Sequence, residues 1–209
     1  MFLKKPVRRS QLISPWGPGA IINFPGDESL MVCGLDAWEK VVEPWPDVIK
    51  IQEERLQKRL DVDHFRLPPD YNLNNESHYP GTKIPCIRFP QWHYCPRCGS
   101  MEKLSIYGEK QKCNGPDYPR GRSCRDTPVK KRLHLIPVRF IVICDRGHIE
   151  DFPFMEWVHK DSAIQNDCRL RYMSGRSSTI AGIQILCSCG KQRTLAGSFS
   201  KNAIASIKK

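Results

Sequence analysis

The sequence predicts an α+β protein of short strands and few helices, stapled by two cysteine-rich zinc modules. Three observations carry this. Residues 138–143 form an apolar, β-branched run that is too short for a helix and suits a buried strand. One cysteine cluster lies upstream of that strand and another downstream. The Pro/Gly alternation of Ser14-Pro-Trp-Gly-Pro-Gly-Ala20 forbids regular structure and makes a rigid, turning loop.

The length of 209 residues allows one or two domains with a real core, and the net charge of +11 points to an acidic partner, nucleic acid first. A basic surface kept for solubility is the plain alternative. Lys4, Lys5, Arg8 and Arg9 are not followed by the apolar core of a signal peptide, and no stretch is apolar for the length of a membrane span. A cytoplasmic protein without membrane contact is therefore expected. In that compartment paired cysteines point to metal rather than disulfides, and Asn75-Glu-Ser77 is silent as a glycosylation acceptor.

In chain order, the Pro/Gly loop reads as a tight turn before a hairpin, although its glycine amides would also suit a phosphate. Trp16 beside prolines reads as locally packed. Residues 29–35 read as a strand, Asp36 as the cap of a helical turn, and Asp47 as the cap of a helix running to about Leu60. In that helix Val48, Ile51, Leu56 and Leu60 roughly share a face, residues 53–59 are a solvated charge run, and Pro68-Pro69 ends it. Residues 70–84 are an Asn-rich linker. Three regions follow: 1–90, carrying Trp16, Trp38 and Trp45 and suited to docking a partner; 91–135, a four-cysteine module with a basic loop; and 136–209, a strand-rich second module.

Cys95-Pro-Arg-Cys98-Gly99 has the spacing of a zinc knuckle, in which two thiolates grip one tetrahedral ion and the glycine lets the backbone turn beneath it. Cys113 and Cys124 close the set. Four thiolates leave no open position, so the expected role is structural. The second set has five candidates, Cys144, His148, Cys168, Cys187 and Cys189. The first choice is the four cysteines, with His148 as fallback ligand or, equally, as a core histidine bonded to Asp151. The Cys187-Ser-Cys189 pair follows an expected strand over 180–186. Cys33 and Cys86 read as ordinary buried thiols. A Cys144–His148–Asp151 hydrolase is the enzymatic alternative. It is disfavoured because triad members usually come from distant parts of a chain. No G-x-x-x-x-G-K-[ST] loop is present, so ATP turnover by that mechanism is not expected.

Between the clusters, Arg120, Arg122, Arg125, Lys130, Lys131 and Arg132, flanked by Lys110, Lys112 and Arg139, form the candidate DNA-binding face. Tyr107 and Tyr118 lie within reach in sequence to stack on unpaired bases, with a surface or core filler as the plainer reading of each.

An ordered series of segments resembles the DrmB components of the DISARM phage-defence system. It comprises Arg8-Arg-Ser-Gln-Leu12, Gly17-Pro-Gly19, Gly34-Leu-Asp36 with Trp38, Phe65-Arg-Leu-Pro-Pro69, Ile84-Pro-Cys-Ile-Arg-Phe-Pro90 with Trp92, Cys95-Pro-Arg-Cys98, Pro137-Val-Arg-Phe, Cys144-Asp-Arg-Gly-His148 with Asp151-Phe152, and the tail Arg193-Thr-Leu-Ala-Gly-Ser-Phe199. The resemblance implies a non-catalytic, zinc-binding partner of a helicase-like subunit that binds DNA in antiviral defence, with no small-molecule substrate. It places zinc ligands at Cys95, Cys98, Cys113 and Cys124, and a second set at Cys144, Cys168, Cys187 and Cys189. DrmB proteins continue beyond the point matching Lys209, which implies a truncated, split or stand-alone version here.

Overall fold

The computed structural model describes residues 7–43, 46–69, 84–116, 123–160, 162–175, 179–200 and 202–204. Contacts divide the chain into two units. The first comprises the residues up to Phe89 together with Ile106–Gly108; the second comprises Pro90–Ser105 and the residues from Glu109 onward.

In the first unit the Pro/Gly loop leads into a hairpin of β1 (Ile21–Phe24) and β2 (Glu28–Val32), and β2 also pairs with β5 (Cys86–Arg88). Ile22, Leu30 and Val32 alternate inward, joining Leu12, Trp38, Ile84 and Cys86 in one core with Trp16 packed against it. Cys33 and Cys86 are free, and burial pushes the Cys86 thiol up to about 12.

The strand expected over 29–35 stops at Val32, and α1 (Leu35–Val42) begins after an extended Gly34. Asp36 therefore sits inside the first turn rather than at the cap, where its charge still favours the helix dipole. Trp38 and Val42, one turn apart, face inward.

The helix expected from Asp47 to Leu60 is broken into three pieces. A 3-10 turn over Pro46–Ile49 is followed by β3 (Lys50–Ile51) and only then by α2 (Glu54–Leu60). Asp47 binds Lys50 Nζ at 2.9 Å instead of capping. Pairing of β3 with β4 (Phe65–Arg66) holds residues 50–51 extended. No residue of α2 is buried, as its charge run requires.

Among its described residues the second unit holds three small sheets. β6 (Trp92–Tyr94) runs between β7 (Met101–Lys103) and β8 (Ile136–Pro137). A hairpin of β9 (Ile141–Ile143) and β10 (Ile149–Asp151) leads into α3 (Phe154–His159). β11 (Leu170–Ser174), β12 (Ile183–Cys187) and β13 (Gln192–Thr194) complete it. Of the central strand expected over 138–143 only Ile141–Ile143 is strand, and β8, in a different sheet, ends just before the expected span at Pro137. The amide of Phe140 donates to the carbonyl of Val138 at 2.9 Å, turning the chain between them. Likewise the strand expected from residue 180 begins at Ile183, after a 3-10 turn.

Phe152, Phe154, Trp157, Leu170, Ile185 and Leu195 build the core of this unit. Phe154 meets the Trp92 ring edge-on at 5.9 Å, and the indole N–H of Trp157 donates to Thr194 O at 3.0 Å. Among the described residues no helix is long and apolar enough to cross a membrane.

Candidate metal centres

The first centre grows out of β6. The Cys95 amide donates to Ser100 O at 2.9 Å and the Gly99 amide to Cys95 O at 2.8 Å, folding residues 95–100 into a knuckle that presents both sulfurs to one side. Gly99 has φ +78°, and a β-carbon there would run into the Tyr172 carbonyl oxygen, so the position excludes a side chain twice over. Arg171 Nε donates to Cys98 O at 2.7 Å and fixes the knuckle to β11. Cys113 is placed by its amide N–H, which donates to Leu133 O at 2.9 Å.

The sulfurs of Cys95, Cys98, Cys113 and Cys124 all lie within 4.8 Å of one another, in a buried cluster with Leu104 and Leu135. Cys95–Cys124 are 3.8 Å and Cys98–Cys113 3.6 Å apart. A tetrahedral zinc with bonds of about 2.3 Å has sulfur–sulfur edges of about 3.8 Å, so the cage has the right size. The Gly115 amide points at Cys113 Sγ from 3.4 Å, giving the thiolate a second interaction. Burial raises the Cys98 thiol to about 11 and pushes Cys113 up further. Burial also opposes the Cys95 thiolate, but the amides of Cys98 and Arg97 outweigh it and leave that group below its ordinary value. Four buried sulfurs are costly as thiolates unless a cation sits among them.

The second cluster is His159, Cys168, Cys187 and Cys189, again with all ligand atoms within 4.8 Å. Three separate elements supply them. His159 ends α3, Cys168 stands just before β11, and Cys187 and Cys189 occupy the turn from β12 to β13. That turn is closed by Cys187 N–H to Lys191 O at 2.7 Å and Gly190 N–H to Cys187 O at 3.0 Å. His159 directs Nδ1 to Met155 O at 2.7 Å, which fixes that nitrogen as the donor and turns Nε2 toward the sulfurs. Nε2 then lies 3.4 Å from both Cys168 Sγ and Cys189 Sγ. A zinc-bound imidazole and thiolate are separated by about 3.5 Å, and a ligating histidine commonly anchors its other nitrogen on a carbonyl in this way. The Lys191 amide lowers exposed Cys189 to about 7, whereas burial raises Cys187 to about 11.

This set corrects the sequence expectation. Cys144 and His148 are not among its members; they face each other at 3.4 Å across the exposed turn between β9 and β10. The turn's own bonds, Cys144 N–H to His148 O and Gly147 N–H to Cys144 O, both 3.0 Å, hold the two side chains at the hairpin tip. Asp151 does not meet His148. Its Oδ1 accepts the amides of Gln91 at 2.8 Å and Trp92 at 3.4 Å, tying β10 to the start of β6. The Cys–His–Asp triad is accordingly not assembled.

The basic loop divides as well. Arg120, Arg122 and Tyr118 lie outside the described residues. Arg125, Lys130 and Lys131 are exposed. Arg132 is turned inward as a clamp, donating to Thr127 O at 2.7 Å, Asn114 O at 2.5 Å and Arg125 O at 3.2 Å. A β-carbon at Gly115 would come within 2.5 Å of that guanidinium, so the glycine makes room for it. Tyr107 is exposed but belongs to the first unit. A further basic cluster went unread in the sequence: Lys160, Lys191 and Arg193 line an open cleft of about 450 Å³ beside His159.

A family model described as a domain of unknown function, DUF8724, matches residues 8–208. The chain belongs to the DUF8724 family. Both clusters fall inside the part that matches. This DUF8724 chain also resembles the DISARM protein DrmB of Bacillus paralicheniformis, with 26% identity over 162 residues covering 76% of this chain and 26% of that protein. It spans about a quarter of that relative's length.

Proposed function

We propose that this protein is a non-catalytic, zinc-stapled subunit that binds DNA and a helicase-type partner in cytoplasmic antiviral defence of the DISARM kind. The likeness to DrmB carries the reading. Zinc is the favoured ion because thiolate and imidazole donors in tetrahedral cages suit it, and two full donor sets leave no open position for chemistry. Exposed Arg125, Lys130 and Lys131, with the charge of +11, support DNA binding through the phosphate backbone.

The test is reversal of Arg125, Lys130 and Lys131 to glutamate in the whole chain. Affinity should fall uniformly across sequences, and the salt dependence should become shallower. Unchanged binding at low salt would refute the assignment of this face. Loss of phage protection on deleting the gene beside an adjacent helicase gene, restored by the parent chain, would support the defence role.

A specific observation favours a second reading, a docking platform that never touches DNA. The first unit has an apolar cleft of about 560 Å³ whose lining includes Leu12, Ile13, Leu35, Trp38, Phe65 and Pro69. Folded parent protein that binds the helicase partner but no DNA would decide for it.

A further inference from the structure

We propose that the open cleft beside the second centre binds a phosphodiester, taking a backbone phosphate of nucleic acid. This rests on the DNA-binding reading above and adds a contact point outside the loop between the clusters. Among the described residues, Lys160, Ser162, Lys191, Gln192 and Arg193 line the cleft with Val158 and His159, so three cations and two neutral hydrogen-bonding side chains converge there. Its openness suits a passing polymer rather than an enclosed small molecule.

Arg193 is preorganised. Its guanidinium carbon lies 3.4 Å from the centre of the Trp157 ring, and Nη1 donates to Trp157 O at 3.0 Å. A guanidinium held in place by an aromatic face loses little freedom when it meets a phosphate oxygen. Lys191 is held by the turn of the second centre, its carbonyl accepting the Cys187 amide at 2.7 Å.

Lys160 supplies an independent observation. It has φ +50° and ψ −120°, a backbone conformation unfavourable for any residue with a β-carbon, at the end of α3, where its amide closes the helix onto Glu156 O. Glycine would sit there without strain. A lysine kept at a strained position places an ammonium group at the cleft at the expense of stability, as strained residues at functional sites do.

The competing role for these cations is internal. Three thiolates, a neutral imidazole and a divalent ion sum to one negative charge, which nearby lysines would offset. The two roles predict different losses.

The experiment measures metal content, melting temperature and DNA affinity of the parent, of the double variant Lys160→Gln/Lys191→Gln, and of Lys160→Gly, using short single-stranded and duplex DNA. The double variant should keep its metal, bind DNA about tenfold more weakly at low salt, and show a salt dependence shallower by about one to two released ions. Lys160→Gly should melt a few degrees higher while binding DNA more weakly, since relief of strain and loss of the contact come from the same change.

If the parent binds DNA and both variants bind equally well, the cleft assignment falls and the wider DNA reading survives. If the parent binds none, both fall. Metal loss in the double variant would assign the lysines to the centre instead. In an NMR titration, inorganic phosphate that shifts the Lys160, Lys191 and Gln192 amides while DNA leaves them unmoved would mark a free-anion site and overturn the nucleic-acid proposal.

Discussion

His159 holds its Nδ1 against the carbonyl oxygen of Met155, one helical turn earlier, at 2.7 Å. That bond turns Nε2 toward two sulfurs, so the helix end orients a metal ligand before any metal arrives.

The first prediction follows directly. The purified parent should carry about two zinc ions per chain. His159→Ala should lose one of them, whereas His148→Ala and Cys144→Ser should keep both. Elemental analysis of the three variants checks this, and loss of an ion from Cys144→Ser would restore that residue to the second centre. Cys95→Ser, in contrast, should leave a misfolded second unit, because it opens a fully buried cage.

The knuckle glycine is the next target. Gly99→Ala meets both a positive φ and the Tyr172 carbonyl, so the knuckle or β11 must shift. A loss of about 3 kcal/mol is expected in denaturant unfolding of the metal-loaded protein. A cost below about 0.5 kcal/mol would show that the two elements yield easily.

Arg132 should behave as a structural residue. Arg132→Lys keeps the charge but cannot span three carbonyls, so stability should fall by about 2 kcal/mol and zinc should pass faster to a chelator. DNA affinity should stay near the parent value. A large loss of DNA affinity without destabilisation would return Arg132 to the binding face.

Asp151 gives a pH prediction. Burial raises its pKa above the ordinary 3.8, against the pull of the Gln91 and Trp92 amides. The folded state therefore holds its proton more tightly than the unfolded state does. Stability contributed by this group is fully present below 3.8 and is lost as pH rises through the higher folded value. Asp151→Asn keeps an acceptor for both amides without the buried charge. It should flatten that part of the stability–pH curve, measured by denaturant midpoints from mildly acidic to neutral pH, and an unchanged curve would refute the assignment.

The first centre was legible in the sequence because half of it is local: Cys95 and Cys98 declare themselves by spacing, and Cys113 and Cys124 are the next cysteines along. The second was legible only in its cysteines. Cys144 reads as a ligand because it ends a strand with three more cysteines downstream, with His148 as the fallback, but a tight hairpin turn points the two at each other. His159 gives little sign in the sequence, since it closes a short helix of mostly apolar residues, Phe154–His159, and reaches the sulfurs only through the packing of α3 on the β11–β13 sheet. The short-strand α+β character followed from local composition. The strand breaks at Val138 and Gly34 did not: the first is made by the turn bond from the Phe140 amide to the Val138 carbonyl, the second by the start of α1, and propensity marks neither.

The two ligand sets do not interleave: Cys95 to Cys124 are complete before His159 to Cys189 begin. During synthesis all four ligands of the first cage are therefore available once Cys124 has left the ribosome, and the residues that brace them, Arg132, Leu133 and Arg171, follow later. The second must wait for Cys189, by which time a filled first cage no longer offers its thiols as rivals. Order along the chain thus protects each ion's address, and a circularly permuted protein opened between Cys168 and Cys187 should lose that protection while keeping every ligand.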